Sequence, residues 1–293
     1  MNSVLIFAVI SLSAIGLISA VVLYFIAQKF KVIEDPRISE VEENLPAANC
    51  GGCGFAGCRN FAEALVRKAD SDKSLEGLNC PVGGADVMKK VASVLGLEAA
   101  ETEPMIAVVR CNGSFKNAPA KVRYDGPSNC AFAHNLYAGT SGCAHGCLGL
   151  GDCVTACIFD AIHIDEETGL PVVNDKCTAC GACVKACPRD IIELRAKGKK
   201  DRRIYVCCVN KEKGGPARKN CSVACIGCGK CLEACAYEAI TIENNLAYID
   251  FEKCKLCRKC VVVCPTAAIL ELNFPPRKDK EAVAPAEINQ VQL

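Results

Sequence analysis

Tryptophan is absent from the 293 residues, and aromatic side chains make up only 5% of them. Large conventional cores lean on such rings, so this interior has to be filled in another way. Charge of one sign is lacking too. The 34 Lys and Arg against 33 Asp and Glu leave a net charge of +1, which removes long-range steering by the molecule as a whole. No glycine-rich strand-to-helix turn of the dinucleotide type occurs, so no NAD or flavin site is legible. What the chain has in excess is cysteine, with 25 residues.

Twenty of these cysteines fall into groups of four. The regular groups are Cys177-x2-Cys180-x2-Cys183-x3-Cys187-Pro188, Cys225-x2-Cys228-x2-Cys231-x3-Cys235 and Cys254-x2-Cys257-x2-Cys260-x3-Cys264-Pro265. This is the bacterial ferredoxin spacing: three thiolates hold one [4Fe-4S] cube, and the fourth, on the helix that follows, reaches the partner cluster. Such runs therefore come in pairs. The crossing assigns Cys225, Cys228, Cys231 and Cys264 to one cluster and Cys235, Cys254, Cys257 and Cys260 to its neighbour. The partner of the 177–187 run reads as Cys143-x3-Cys147-x5-Cys153-x3-Cys157, its first two intervals stretched by insertions. The same crossing then predicts Cys143, Cys147, Cys153 and Cys187 around one cluster, and Cys157, Cys177, Cys180 and Cys183 around the other. Cys157 to Cys187 is 30 residues, Cys235 to Cys264 is 29, and the halves repeat at 77 to 78, which marks two ferredoxin modules in tandem.

The group Cys50-x2-Cys53-x4-Cys58-x21-Cys80-Pro81 fits neither half of a ferredoxin pair and forms a separate unit. Glycines 51, 52, 54 and 57 let backbone amides approach cluster sulfurs, and such bonds help set a reduction potential. Helical patterns at Asn60 to Lys68 and around Val87, Val91, Val94 and Leu95 would pack beside it. Two other chemistries use clustered thiols. Zinc closes with two CxxC-like pairs, a poor match to four cysteines within eleven residues, though a fairer one at 50–80. Disulfide scaffolds belong to short chains in oxidising compartments. Cys111, Cys130, Cys207, Cys208 and Cys221 remain, to be read as small buried apolar residues, as ligands of a sixth cluster or, for Cys221 just ahead of Cys225, as an accessory ligand.

From Val4 to Ala27 no residue is charged. As a helix those 24 residues are about 36 Å long, enough to cross a bilayer with some tilt. A signal peptide would carry a basic start and a small-residue cleavage site, and both are missing. Lys29, Lys31 and Arg37 follow the span, which places the cysteine domains on the cytoplasmic side of the cell membrane by the positive-inside rule. The predicted order is a transmembrane anchor (1–28), a tether (29–45), a four-Cys [4Fe-4S] domain (46–98), a connector (99–140), a 2[4Fe-4S] module (141–194), a basic linker (195–222), a second module (223–272) and a flexible tail (273–293). The fold class is α+β, with five [4Fe-4S] clusters. Short strands are expected at 161–165, 170–174, 239–243 and 246–250, the last two joined by a hairpin at Asn244-Asn245. The ten basic residues between Arg195 and Lys219 read as a landing patch for an acidic redox partner such as a soluble ferredoxin, or as a solvated linker. One aromatic among them argues against nucleic acid.

The order of these parts resembles the B subunit of the Rnf complex, an ion-translocating ferredoxin:NAD oxidoreductase. The resemblance rests on the anchor, CGGCGFAGC at 50–58 with Cys80-Pro81, RCNGS at 110–114, GCLGLGDCVTAC at 146–157, CTACGACVKACPRDII at 177–192, CIGCGKCLEAC at 225–235 and NNLAYIDFEKCKLCRKCVVVCPTAAI at 244–269. It covers nearly the whole chain and is similar to the longer, two-module forms. It implies single electrons taken from reduced ferredoxin and handed to membrane subunits that carry flavin and the NAD site, with Na+ or H+ moved by the assembly. A membrane-bound polyferredoxin serving a hydrogenase or dehydrogenase is the other function of this architecture.

Overall fold

The structure is a computed structural model and describes residues 2–29, 35–98, 103–136 and 139–277, with side chains from residue 6. Lys31 and the end of the chain beyond 277 lie outside the described residues.

Helix α1 (Asn2–Lys29) carries the apolar run. Within its span from Ile6 to Lys29 an 18-residue window has a mean hydropathy of 2.6, and none of that window is buried against the rest of the protein. Large apolar side chains bared along a whole helix, from Ile6 to Ile26, call for another covering phase. The helix is long and apolar enough to cross a membrane.

The four-Cys domain is a three-helix packing of α2 (Pro36–Asn44), α3 (Cys58–Asp72) and α4 (Gly84–Val94). Asp35 caps α2 by accepting a hydrogen bond from the Arg37 amide, and Pro36 occupies the first turn, where its missing N–H is not needed. Phe61, Ala62, Leu65, Val66 and Ala69 form the buried stripe of α3, against Met88, Val91 and Ala92 of α4. The predicted tether is therefore corrected in its second half. Val41 is fully buried and Leu45 nearly so, because Ile38, Val41 and Leu45 fall on one helical face and close the domain.

The two modules repeat one plan. The first contains β1 (Met105–Val109), α5 (Cys130–Asn135), α6 (Asp152–Thr155), β2 (Ile162–Ile164), β3 (Pro171–Val173), α7 (Ala182–Ala186) and β4 (Ile192–Ala196). The second contains β5 (Arg203–Val206), α8 (Gly214–Asn220), α9 (Lys230–Glu233), β6 (Ile240–Glu243), β7 (Leu246–Ile249), α10 (Lys259–Val263) and β8 (Ile269–Leu272). Each pairs an outer antiparallel ribbon, β1 with β4 or β5 with β8, and an inner hairpin, β2 with β3 or β6 with β7. Val109 faces Ile192 in one outer ribbon, and Val206 faces Ile269 in the other. Asn244 and Asn245 both have positive φ, as a tight hairpin turn of the primed type requires.

Two predicted segments change character. The connector supplies β1 and α5, and the basic linker supplies β5 and α8, so both belong to the modules. Arg195, expected in a solvated stretch, is 1% exposed. Its guanidinium donates to the carbonyls of Ile249 at 2.8 Å and Ile204 at 3.4 Å, pairs with Glu193, and lies against the rings of Tyr205, Tyr248 and Phe251. It joins β4 of the first module to β5 and β7 of the second. Of the other basic residues there, Lys199, Lys200, Lys211, Lys213, Arg218 and Lys219 are exposed. The predicted tail is also shorter: Asn273 donates to Asp201, Phe274 packs beside Arg202 and Arg258, and Arg277 pairs with Glu271.

Candidate metal centres

None of the 25 cysteines is in a disulfide. In each regular run the residues just before and just after the second cysteine have positive φ: Ala179 and Gly181, Gly227 and Gly229, Leu256 and Arg258. Left-handed residues other than glycine cost about 1–2 kcal/mol each, so a turn repeated at the same places answers a shared demand. Alternating right- and left-handed residues form a concave nest of amides that favours an anionic group. A short helix follows each turn and carries the third cysteine inward.

Cys157, Cys177, Cys180 and Cys183 line one cavity of about 340 Å3. Cys225, Cys228, Cys231 and Cys264 line another of about 350 Å3. Cys260 has Cys254, Cys257 and Cys235 as its electrostatic neighbours, and Cys80 has Cys53 and Cys58. Backbone amides donate to the sulfurs: Ala161 to Cys157 at 3.4 Å, Ala268 to Cys264 at 3.3 Å and Gly83 to Cys80 at 3.3 Å. Burial pushes the thiols of Cys183 and Cys260 up to about 12 and that of Cys231 to about 11. A bound metal reverses that logic, since a coordinating thiol is deprotonated outright. Four converging thiols and amide donors on sulfur fit a [4Fe-4S] cluster.

The irregular group is arranged differently from the sequence expectation. Gly149 and Gly151 carry the positive φ values, and α6 follows them. The run is thus Cys147-x2-Leu150-x2-Cys153-x3-Cys157, unstretched, with leucine where the second cysteine belongs. Cys130 fills the gap. The amides of Asp152 and Leu150 act on its sulfur electrostatically, and the Asp152 carboxylate holds the Cys130 and Ala131 amides at 2.7 and 3.0 Å, fixing α5 against the run. Cys130, Cys147, Cys153 and Cys187 line a cavity of about 400 Å3, and Cys143 does not. Cys143 instead lines a further cavity of about 390 Å3 with Cys111, Cys207, Cys208 and Cys221, and Cys147 stands between the two cavities, lining both. The spare leucine in an otherwise regular frame is the signal in the sequence that points to this.

These groups follow one another through the protein. A Cβ on Gly52 would lie 2.8 Å from the Cys180 carbonyl oxygen, so the first loop touches the 177–183 run directly. Cys183 is influenced by Cys153, Cys147 by Cys111, Cys208 by Cys225, and Cys260 by Cys231. The Arg189 guanidinium donates to the Gly146 carbonyl at 2.6 Å and is drawn on by Cys143, Cys147, Cys111 and Cys130, giving that region a cation among its thiols.

Family comparisons agree with this chemistry. A family model described as "Putative Fe-S cluster" matches residues 45–73, and models of a 4Fe-4S dicluster domain match residues 144–194 and 224–268. The sequence is 44% identical over 259 residues to the B subunit of the Na(+)-translocating ferredoxin:NAD(+) oxidoreductase complex of Acetobacterium woodii, covering 88% of this chain and 75% of that one. It is 42% identical to the B subunit of the ion-translocating oxidoreductase complex of Methanosarcina acetivorans, over 92% of this chain and 99% of the relative.

This chain belongs to that B-subunit family.

A further relative, the B subunit of the proton-translocating ferredoxin:NAD(+) oxidoreductase complex of Clostridium ljungdahlii, is 42% identical over 92% of this chain and 93% of its own. The ion named for the complex differs between relatives of nearly equal similarity, so likeness of sequence does not select the ion here.

Proposed function

We propose that this chain is the iron–sulfur relay of an Rnf-type complex, taking single electrons from reduced ferredoxin on the cytoplasmic side and delivering them to membrane partners. Ferredoxin:NAD oxidoreduction would drive Na+ or H+ translocation by the assembly. The observation that carries this reading is the unbroken succession of thiol-lined sites from the four-Cys domain through both modules. The ligand sets are Cys50/Cys53/Cys58/Cys80, Cys157/Cys177/Cys180/Cys183, Cys130/Cys147/Cys153/Cys187, Cys225/Cys228/Cys231/Cys264 and Cys235/Cys254/Cys257/Cys260. A [4Fe-4S] cluster bound in each would supply one-electron storage at a potential tuned by amide bonds to sulfur and by solvent access.

The protein groups do the holding and tuning. Cys228 and Cys257 are the exposed cysteines among the described residues, which makes the second module the port for a soluble donor. The exposed Lys211, Lys213, Arg218 and Lys219 stand in the same module and would speed encounter with an acidic partner. At the other end the four-Cys domain follows α1 closely and would pass electrons to the membrane subunits. Helix α1 anchors the chain, with Lys29 at its cytoplasmic end. Uncharged from Ser3 to Gln28, it offers no ion path by itself.

The test is stopped-flow mixing of the detergent-solubilised full chain with reduced ferredoxin, without oxygen, following the visible bleach. Fast reduction whose rate falls steeply with salt supports the reading. Slow, salt-independent reduction sinks it. Copurification of integral partners bearing flavin favours the pumping complex over a polyferredoxin that serves a hydrogenase.

A further inference from the structure

We propose that Cys111, Cys143, Cys208 and Cys221 hold a sixth [4Fe-4S] cluster that bridges the two ferredoxin modules. It rests on the relay reading above and extends it. The four come from segments more than thirty residues apart at the widest gaps and meet in one cavity of about 390 Å3, comparable with the cavities of about 340 to 400 Å3 at the runs. Cys143, Cys208 and Cys221 are 8%, 8% and 7% exposed.

The repeat supports the choice of ligands. Cys111 stands two residues beyond Val109 at the end of β1, and Cys208 two residues beyond Val206 at the end of β5. The two outer ribbons thus present equivalent cysteines to the same space. Three of the four sulfurs accept an N–H: Cys111 from Cys147 at 3.4 Å, Cys208 from Asn210 at 3.4 Å, and Cys143 from the Asn210 side-chain amide at 3.4 Å. Asn210 is 1% exposed, so a buried polar side chain is aimed at the site. Cys207 behaves in the opposite sense, since its sulfur donates to the Val109 carbonyl at 3.4 Å and packs with Ile106, Val108 and Tyr205. It is a buried thiol outside the ligand set.

The bridge follows from the donors. The amide on Cys111 belongs to Cys147, a ligand of one neighbouring site, and an amide on Cys208 belongs to Cys225, a ligand of the other. One electron arriving from the reduced neighbour leaves that neighbour oxidised and passes on to the next site. No covalent bond changes and no proton moves.

The experiment compares the detergent-solubilised full chain with Cys111→Ser/Cys221→Ser and Cys207→Ala, all loaded without oxygen. At four irons per cube, about 24 iron and 24 sulfide in the wild type, about 20 in the double variant and about 24 in Cys207→Ala support the proposal. Native mass spectrometry of the wild type counts clusters without relying on any variant, and six cubes are expected. Reduced ferredoxin should still bleach the second module in the double variant, while reduction of the 50–80 site slows at least tenfold. A wild type of about 20 iron unchanged in the double variant, or about 20 iron with one zinc, overturns the sixth cluster and leaves the relay standing. Iron well below 20 overturns both.

Discussion

Replacing Arg195 with methionine should loosen the join between the two ferredoxin modules. The change removes a 2.8 Å hydrogen bond to the Ile249 carbonyl, a weaker one at 3.4 Å to Ile204 and contacts with three rings. An orphaned buried carbonyl costs about 1–3 kcal/mol, and each desolvated cation–ring contact about 0.5–2. Against this, methionine is far easier to bury than a guanidinium. Glu193 is not abandoned, because Arg110 remains 3.2 Å away. The balance is a loss of about 3 kcal/mol, at the lower end of the usual 3–5 for a buried pair left with a bare charge. Because the lost contacts tie β4 to β5 and β7, local opening there should become about 100-fold more frequent at about 1.4 kcal/mol per tenfold. Amide exchange of peptides covering 192–196 and 246–250, in the iron-loaded full chain, measures this directly. Arg195→Lys keeps the charge but not the flat fork and should give roughly a tenfold change. Wild-type exchange rates in both variants would refute the role assigned to Arg195.

Gly52→Ala would bring a methyl to 2.8 Å from the Cys180 carbonyl, so the first loop must retreat; iron content should hold while reduction of the 50–80 site slows, measured by rapid freeze-quench spectroscopy. Phe61→Ala empties a position that is 1% exposed and should cost about 3–5 kcal/mol, with iron lost at Cys50–Cys80 while the module sites keep theirs. Cys130→Ser should remove about four irons, one cube; iron unchanged in that variant would return Cys143 to the 147–187 site. Stripping iron with a chelator and an oxidant should collapse the modules, seen as protease sensitivity at β2, β3, β6 and β7, because the Ile, Val and Leu side chains that line the cavities would lose the cluster they pack around.

The three regular runs are readable because spacing alone dictates that geometry, and so is the hairpin, because two adjacent asparagines tolerate the left-handed conformation. The partner run misleads when intervals are counted between cysteines. The backbone keeps its turn at Gly149 and Gly151 whether or not residue 150 is a ligand, and Cys130 arrives from a helix that no local pattern ties to it. Arg195 is hidden by its charged neighbours: a basic stretch reads as solvated unless something shows which side chain points inward, and the rings it meets lie up to 56 residues away in sequence. The half-buried α2 is masked in the same way, by three glutamates set among the three apolar residues that decide its face.

The reach of Cys130 bears on how the protein is made. A ribosome releases the chain from its N-terminus, so the 50–80 site has all its ligands early. With the proposed ligand sets, the site of Cys147 and Cys153 would have its first thiol at 130 and its last at 187, and the 177–183 site would wait for the same stretch. Until residue 187 emerges, six or more thiols of the first module stand open at once, and any early disulfide among them would block assembly. Iron delivery therefore has to be timed against synthesis, and brief exposure to oxygen during translation should harm this protein more than the same exposure after folding.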